Sequence, residues 1–438
     1  MKVLVCGATG CIGSAVVHAL RSRGHRVLEG GRQAPVPVDF MTPVTPAAWA
    51  ERLQQLGVEA IVNCASILMP SHGQCFERVH AQGPIELFRG GALAGVRRVV
   101  QISALGDSDT PYLRSKRAAD AALLALPLDG VVLRPSLVYG AGSASGALFA
   151  TLASLPVVAL PGKGEQQLAP VHVYELAEIV ARLVERRSAA CGVFELGGGS
   201  VLGYRDMLAG YRTALGLGPA LWLPMPLPLM HASAWMAECL PQQVFCRDTL
   251  RLLQAGNVPA TNAAPALLGR APTAFAAGLM ISPPQPWVDL RVTLAPPVAL
   301  GLRLSLAFMW LYTALISLAL PQTSGVLALL ARCGFEGQAG VAVLLASCLL
   351  NISLGTLTLW RPAAWLYALQ CAAVLGYTGT AALNMPELTL DHCGPLVKNL
   401  PVLMAIVVLW LARPAASAQA DRRPLPRRVL PLAEQHQQ

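Results

Sequence analysis

The run VLVC at 3–6 passes without interruption into GATGCIG at 7–13. A short apolar strand, a glycine-spaced turn and the opening of a helix in that order form a phosphate-binding pattern. Helix N-termini present free N–H groups and positive dipole ends to an anion. Gly7 allows the tight turn, Gly10 lets the backbone approach a pyrophosphate, and Gly13 permits close helix-to-strand packing. Thr9, Cys11 and Ile12 share the turn, so residues 7 and 9–13 are the expected cradle for a dinucleotide.

Outward from this turn, apolar runs alternate with helical stretches: VLVCG (3–7), VVHAL (16–20), AIVNCA (60–65), VVQIS (99–103) and VVLRPS (131–136). Runs without polar alternation, separated by helices, predict an α/β Rossmann-type doubly wound parallel sheet over residues 1–215. VLEGGR (27–32) ends the second strand with Arg32, a residue able to pair with a 2′-phosphate, so NADP is expected over NAD although Glu29 lies close by. Asp39 follows a short third strand, where it either accepts from an adenine amino group or closes a turn.

Further motifs give the chain a family resemblance. CGATGCIG (6–13), VNCAS (62–66), QISALG (101–106), YLRSK (112–116), LRPSLVYG (133–140) and PVHVYELA (170–177) resemble the short-chain dehydrogenase/reductase superfamily, in its extended or atypical NmrA-like branch. The resemblance covers about residues 1–215. It implies a catalytic group of Ser103, Tyr112 and Lys116, with Cys64, Ala65, Ser66, Tyr112, Lys116, Pro135 and Ser136 against the cofactor. Hydride arriving at a carbonyl carbon leaves charge on oxygen, which a serine hydroxyl would hydrogen-bond and a tyrosine would protonate. A lysine one helical turn beyond the tyrosine, on the same face, lowers the phenol's pKa. Lysine occurs only at 2, 116, 163 and 398, so Lys116 stands where this arginine-preferring chain needs a compact charge. Ser103 and Tyr112 are only nine positions apart, closer than is usual in that family, and His80 stands where many relatives carry asparagine.

The rest of the 438 residues has a different character. Hydrophobic residues make up 54% and charged ones 13%, which argues for lipid contact somewhere in the chain. The net charge of +9 comes with only 6% aromatics and no basic helix interleaved with them, which argues against nucleic acid. The 11 cysteines are scattered without a CxxC pair, so no metal site is expected. A proline-rich region over 216–297 reads as a connector; within it, WLPMPLPLMHASAW (222–235) either caps the substrate pocket or lies on a membrane surface, and a helix is expected near 242–255. Apolar stretches at 298–320, 339–360, 363–383 and 396–412 predict a four-helix transmembrane bundle over 298–412, followed by a basic tail over 413–438. RLSLAFMWLYTALISL (303–318) and GPLVKNLPVL (394–403) resemble the DoxX-like family of small membrane domains.

Arg361 and the tail arginines place one edge of these spans, the first domain and the tail in the cytoplasm, at the inner membrane. The start, MKVLVCGATG, has no apolar signal stretch followed by a cleavage site. The expected function is a membrane-tethered NAD(P)H-dependent oxidoreductase that reduces a carbonyl or a quinone-like apolar small molecule. A non-catalytic NADP(H)-binding sensor or assembly protein and a nucleotide-sugar epimerase are the alternatives. Oligomeric state is left open by the residues.

Overall fold

The computed structural model describes residues 1–70, 73–185, 191–238, 245–286, 296–319, 326–385, 387 and 396–411. Contacts divide the chain into two units, Met1–Asp289 and Leu290–Gln438. The tail over 413–438 lies outside the described residues.

The strands of the first unit are β1 (Lys2–Cys6), β2 (Arg26–Gly31), β3 (Val36–Pro37), β4 (Ala60–Asn63), β5 (Arg98–Ile102), β6 (Asp129–Pro135), β7 (Val138–Tyr139), β8 (Val157–Pro161), β9 (Gln167–Leu168), β10 (Val171–His172), β11 (Gly192–Leu196), β12 (Leu202–Gly203) and β13 (Leu221–Met225). Seven form one sheet in the order β11-β6-β5-β4-β1-β2-β3, and every pairing within it is parallel. The order reverses direction between β1 and β4, which opens a crevice at their carboxyl ends, the place where such sheets bind ligands. Alternate residues serve the two faces: Val3, Val5, Val62 and Val100 pack to one side, Leu4, Ile61 and Val99 to the other. Burial on both faces accounts for the unbroken apolar runs.

The helices of this unit are α1 (Cys11–Ser22), α2 (Pro46–Leu56), α3 (Gly83–Ala94), α4 (Pro111–Leu124), α5 (Ala144–Ser154), α6 (Val173–Glu185), α7 (Tyr204–Ala214), α8 (Leu227–Glu238), α9 (Arg247–Ala255), α10 (Ala264–Leu268) and α11 (Phe275–Ile281). VVHAL at 16–20, grouped above with the strand-like runs, is the middle of α1. Val16, Val17 and Leu20 recur at helical spacing and press on the sheet, so tertiary burial overrides their β preference. α4 starts with Thr110 accepting from the Leu113 amide and with Pro111 in its first turn, which fixes where Tyr112 emerges. The stretch 216–286 is packed into the unit: Ala264, Leu267 and Leu268 join the sheet core, and Phe275 and Leu279 join a second core with Tyr139, Met207 and Tyr211.

The second unit is helical: α12 (Pro296–Ala319), α13 (Val326–Arg332), α14 (Gly337–Trp360), α15 (Ala364–Asn384) and a shorter helix, Asn399–Leu411. Among the described residues three helices are long and apolar enough to cross a membrane, Pro297–Ala319, Gly337–Trp360 and Trp365–Asn384. Asn399–Leu411 has 13 residues and falls short of a span, so the expected count of four is not reached within the described chain. Leu306, Trp310, Leu354, Leu366 and Ile406 share the core of this unit. The Arg303 guanidinium donates to the Thr358 carbonyl at 3.0 Å, so the start of α12 meets the end of α14.

Candidate active site

The glycine turn is built as the spacing requires. Gly7 adopts φ 74°, and its amide donates to the Gly30 carbonyl at 2.8 Å. A Cβ on Gly13 would lie 2.0 Å from the Gly7 carbonyl oxygen, so α1 approaches the turn more closely than any side chain permits. Gly10 is the N-cap of α1 and no side chain caps that turn. Thr9 is exposed on the same rim, Ile12 is half-buried against the sheet core, and the Cys11 thiol donates to the Ala141 carbonyl at 3.3 Å. A bare, uncapped helix start at the switch point fits a dinucleotide pyrophosphate.

At the tip of β2 the strand ends in Gly30 and Gly31, and a side chain at Gly30 would press on Val38, Leu4 and the Val5 carbonyl. Glu29 is turned to Arg21 on α1 at 2.5 Å. Glu29 is therefore engaged by α1 and does not extend the end of β2. Arg32 is exposed and makes no ion pair among the described residues. Asp39 is exposed and accepts from the Met41 amide at 3.0 Å with one oxygen, closing a turn.

Beyond β4, Asn63 holds the chain in place. Its amide nitrogen donates to Gln101 at 2.8 Å and its oxygen accepts from the Ala65 amide at 3.2 Å. Cys64 is tied to β1 through its amide, which donates to the Cys6 carbonyl at 2.9 Å; burial pushes its thiol up, so it is an inert wall. Lys116 is buried under this turn and donates to the carbonyls of Ile102 at 3.2 Å and Ala65 at 3.5 Å. Burial brings its ammonium down to about 8, against the opposing pull of Asp120.

Tyr112 is buried with Phe76 and Leu113, flanked by Ile67, Leu68, Ala104 and Leu252. Burial raises its phenol pKa while a hydrogen bond with the Ser66 side chain lowers it, the former prevailing, so the group is a protonated donor at neutral pH. Ser66 also stands 3.2 Å from His80 Nε2, which accepts from the Ile67 amide at 3.0 Å. With Nε2 the acceptor, His80 Nδ1 carries the proton toward Ser115 Oγ at 3.1 Å, and Ser115 donates to the Tyr112 carbonyl at 2.8 Å. Burial first, and then the Lys116 charge, lower the His80 pKa to about 2. A neutral imidazole thus orients Ser66 beside the phenol.

Ser103 is placed otherwise. Its hydroxyl donates to Asp120 Oδ2 at 2.8 Å, the same oxygen that receives Arg134 at 3.0 Å. The structure groups Tyr112 with Ser66 and His80, and Ser103 with Asp120 and Arg134. Ser66 was legible in the VNCAS motif only as a cofactor contact; its hydroxyl partnership with Tyr112 was not.

The roof comes from residues read as a connector. Pro135 ends β6, and Ser136 donates to the Asn257 carbonyl at 2.6 Å. Asn257 in turn donates to the Leu105 carbonyl at 3.1 Å. Leu252 on α9 packs beside Tyr112. His172 is buried, with Nε2 3.1 Å from Ser282 Oγ, apart from the Tyr112 group. Among the described residues no cluster of His, Cys, Asp and Glu could hold a metal ion.

Residues 3–197 match the NAD dependent epimerase/dehydratase family, and residues 307–407 match the DoxX-like family. A ceramide reductase of Caulobacter vibrioides (strain NA1000 / CB15N) is 29% identical over 234 residues, covering 50% of this chain and 72% of that protein. Among solved structures, a UDP-glucose 4-epimerase of Thermotoga maritima is 17% identical with a TM-score of 0.47, covering 64% of this chain and 97% of the other. A dTDP-4-dehydrorhamnose reductase of Clostridium acetobutylicum is 16% identical with a TM-score of 0.47, covering 64% and 98%. Residues 3–197 are thus similar to the NAD dependent epimerase/dehydratase family and residues 307–407 to the DoxX-like family, each match covering less than half of the chain.

Proposed function

We propose that the protein is a membrane-tethered reductase that uses NADPH to reduce a carbonyl on an apolar, ceramide-like lipid. The observation that carries this reading is the buried Tyr112 phenol, kept protonated beside Ser66, one helical turn before Lys116, within walls made by Phe76, Ile67, Leu68, Leu113 and Leu252. Such walls suit an alkyl chain flanking a carbonyl and offer little to a nucleotide diphosphate.

The turn of Gly7, Gly10 and Gly13 would hold a reduced nicotinamide dinucleotide, which when bound would supply the hydride for carbonyl reduction. Tyr112 gives its proton to the carbonyl oxygen as charge develops there, and Ser66 hydrogen-bonds the same oxygen or the phenolate left behind. His80, neutral and fixed by Ile67 and Ser115, keeps the Ser66 hydroxyl aimed. The Lys116 ammonium beneath the turn stabilises the phenolate.

Support for NADPH over NADH comes from Arg32, exposed just beyond the end of β2 and without an ion pair among the described residues. The likeness to a ceramide reductase and the apolar helices support a lipid substrate. A cytoplasmic position for the first domain is supported by Arg303 and Arg361, which share the edge where α12 begins and α14 ends.

A second reading, a dinucleotide sensor without turnover, draws on the Ser103 hydroxyl being taken by Asp120. One experiment separates the two. Lipid-reconstituted protein is titrated with NADPH and NADH and then assayed on long-chain ketones, wild type against Tyr112→Phe. The reductase reading expects turnover that falls by about 10²- to 10⁴-fold in the variant with cofactor binding retained. Tight binding without turnover in wild type establishes the sensor instead.

A further inference from the structure

α8 carries its polarity the wrong way round for a helix in water. Met230 and Ala234 are buried against Leu250 of α9. Its polar side chains are used at the sides or inward: His231 meets Gln254 of α9 at 3.3 Å, Ser233 bonds the Met230 carbonyl, and Glu238 receives Arg247. The opposite arc, Pro228, Leu229, Ala232, Trp235 and Met236, is exposed and holds no polar residue except the indole N–H. Leu229 is 56% exposed, Trp235 58% and Met236 65%. A surface helix of a soluble domain turns charges outward; an interfacial helix shows an aromatic and aliphatic face.

We infer that the exposed face of α8 docks on the lipid bilayer surface and makes the Tyr112 site open at the membrane. Continuity with the membrane domain favours lipid as the occupant. Pro286 and the start of α12 at Pro296 are ten residues apart, so the chain between them can span at most about 35 Å. Met280 and Ile281, the last residues of α11 before that segment, are themselves exposed, as are Leu221 and Leu223 of β13 just ahead of α8. Trp at a helix surface is the side chain that settles at the headgroup level.

The placement also gives a route. α9 stands between the two features: Leu250 packs on Met230 and Ala234 of α8, and Leu252 packs with Tyr112, Phe76 and Leu113. Movement of the α8–α9 pair opens the apolar side of the site toward lipid. The route rests on the lipid-carbonyl reading; the contact of α8 with the bilayer does not.

The test uses the full chain in phosphatidylcholine vesicles. With the exposed Cys75 and Cys191 changed to serine, Met236→Cys is labelled with the environment-sensitive dye NBD, and Leu93→Cys on α3, also exposed, serves as control. Doxyl-labelled phosphatidylcholine is expected to quench the dye at 236 several-fold more than at 93. Equal quenching at both positions overturns the inference. So does a blue-shifted dye at 236 that lipid nitroxide fails to quench, which identifies protein, a second copy or another part of the chain, as the occupant. A second variant, Trp235→Asp with Met236→Asp, is expected to reduce turnover of a bilayer-embedded ketone at least tenfold while NADPH binding and turnover of a short water-soluble ketone stay within twofold. Because the quenching needs no activity, a protein that docks but does not turn over refutes the reductase reading and leaves the docking intact.

Discussion

The hydroxyl of Ser103 donates to Asp120 Oδ2 at 2.8 Å, so the strand-end serine serves a buried carboxylate and not the Tyr112 phenol. Asp120 is almost fully buried, and its pKa is raised by burial against the opposing effects of Ser103, Arg134 and Lys116. Removing a donor from such a group leaves it under-solvated.

Ser103→Ala is therefore expected to cost about 1–3 kcal/mol of stability and to leave turnover within a few-fold. Ser66→Ala is expected to lower turnover by about 10²-fold with little change in stability. Denaturation midpoints and steady-state rates of the two variants, measured side by side, check this; the reverse ranking would return the catalytic hydroxyl to Ser103, just past β5.

The Gly13 contact admits no side chain, since a Cβ would fall 2.0 Å from the Gly7 oxygen. Gly13→Ala should destabilise the first unit by about 1–3 kcal/mol through forced displacement of α1. Gly10→Ala, whose Cβ would meet only the Gly7 oxygen at 3.4 Å, should cost little stability while weakening dinucleotide affinity by crowding the pyrophosphate, so denaturation midpoints and fluorescence titration separate the two variants.

Arg32 is exposed just beyond the end of β2 and makes no ion pair among the described residues. Arg32→Ala should weaken NADPH by about 10- to 100-fold, the worth of about 1.5–3 kcal/mol for hydrogen bonds to a charged group. NADH affinity should stay within about threefold. Equal losses for both coenzymes would remove Arg32 from 2′-phosphate recognition.

His80 gives the fold an acid sensitivity. An unfolded chain protonates the imidazole near its ordinary pKa of 6.5, whereas the folded protein holds it neutral down to about 2. Between those values the unfolded state binds the extra proton, so this contribution to stability is lost as pH falls from 6.5 toward 2. His80→Asn should flatten that part of the stability profile, as measured by intrinsic fluorescence of reconstituted protein across acid pH.

Lys116 behaves in the alkaline range. Its folded value of about 8 lies below the ordinary 10.5, so above pH 8 the folded protein loses the ammonium first. Stability from this group rises between pH 8 and 10.5, while kcat/KM should decline there as the charge that stabilises a Tyr112 phenolate disappears. An alkaline limb absent in wild type would contradict this role.

Much of the fold was legible because its signals are local. A strand running into Gly7, Gly10 and Gly13 specifies a turn through backbone sterics, and unbroken apolar runs mark strands buried on both faces. VVHAL at 16–20 misled for the same reason: a short β-branched run carries no period, and only packing of Val16, Val17 and Leu20 on the sheet made it helix. The proline-rich stretch was read as a connector because prolines conceal the apolar contacts of α8 to α11, which reach cores formed by residues far earlier in the chain.

The sequence alone determined the dinucleotide turn, the doubly covered sheet, the one-turn spacing of Tyr112 and Lys116, and the change to lipid-compatible helices, all set by neighbours within a few residues. Tertiary structure decided which hydroxyl meets the phenol, the neutral state of His80, and the outward face of α8. Those depend on desolvation and on buried polar groups finding partners many positions away, as Ser66 with His80 and Ser103 with Asp120 do. Such choices are made by competition among contacts that no local pattern contains.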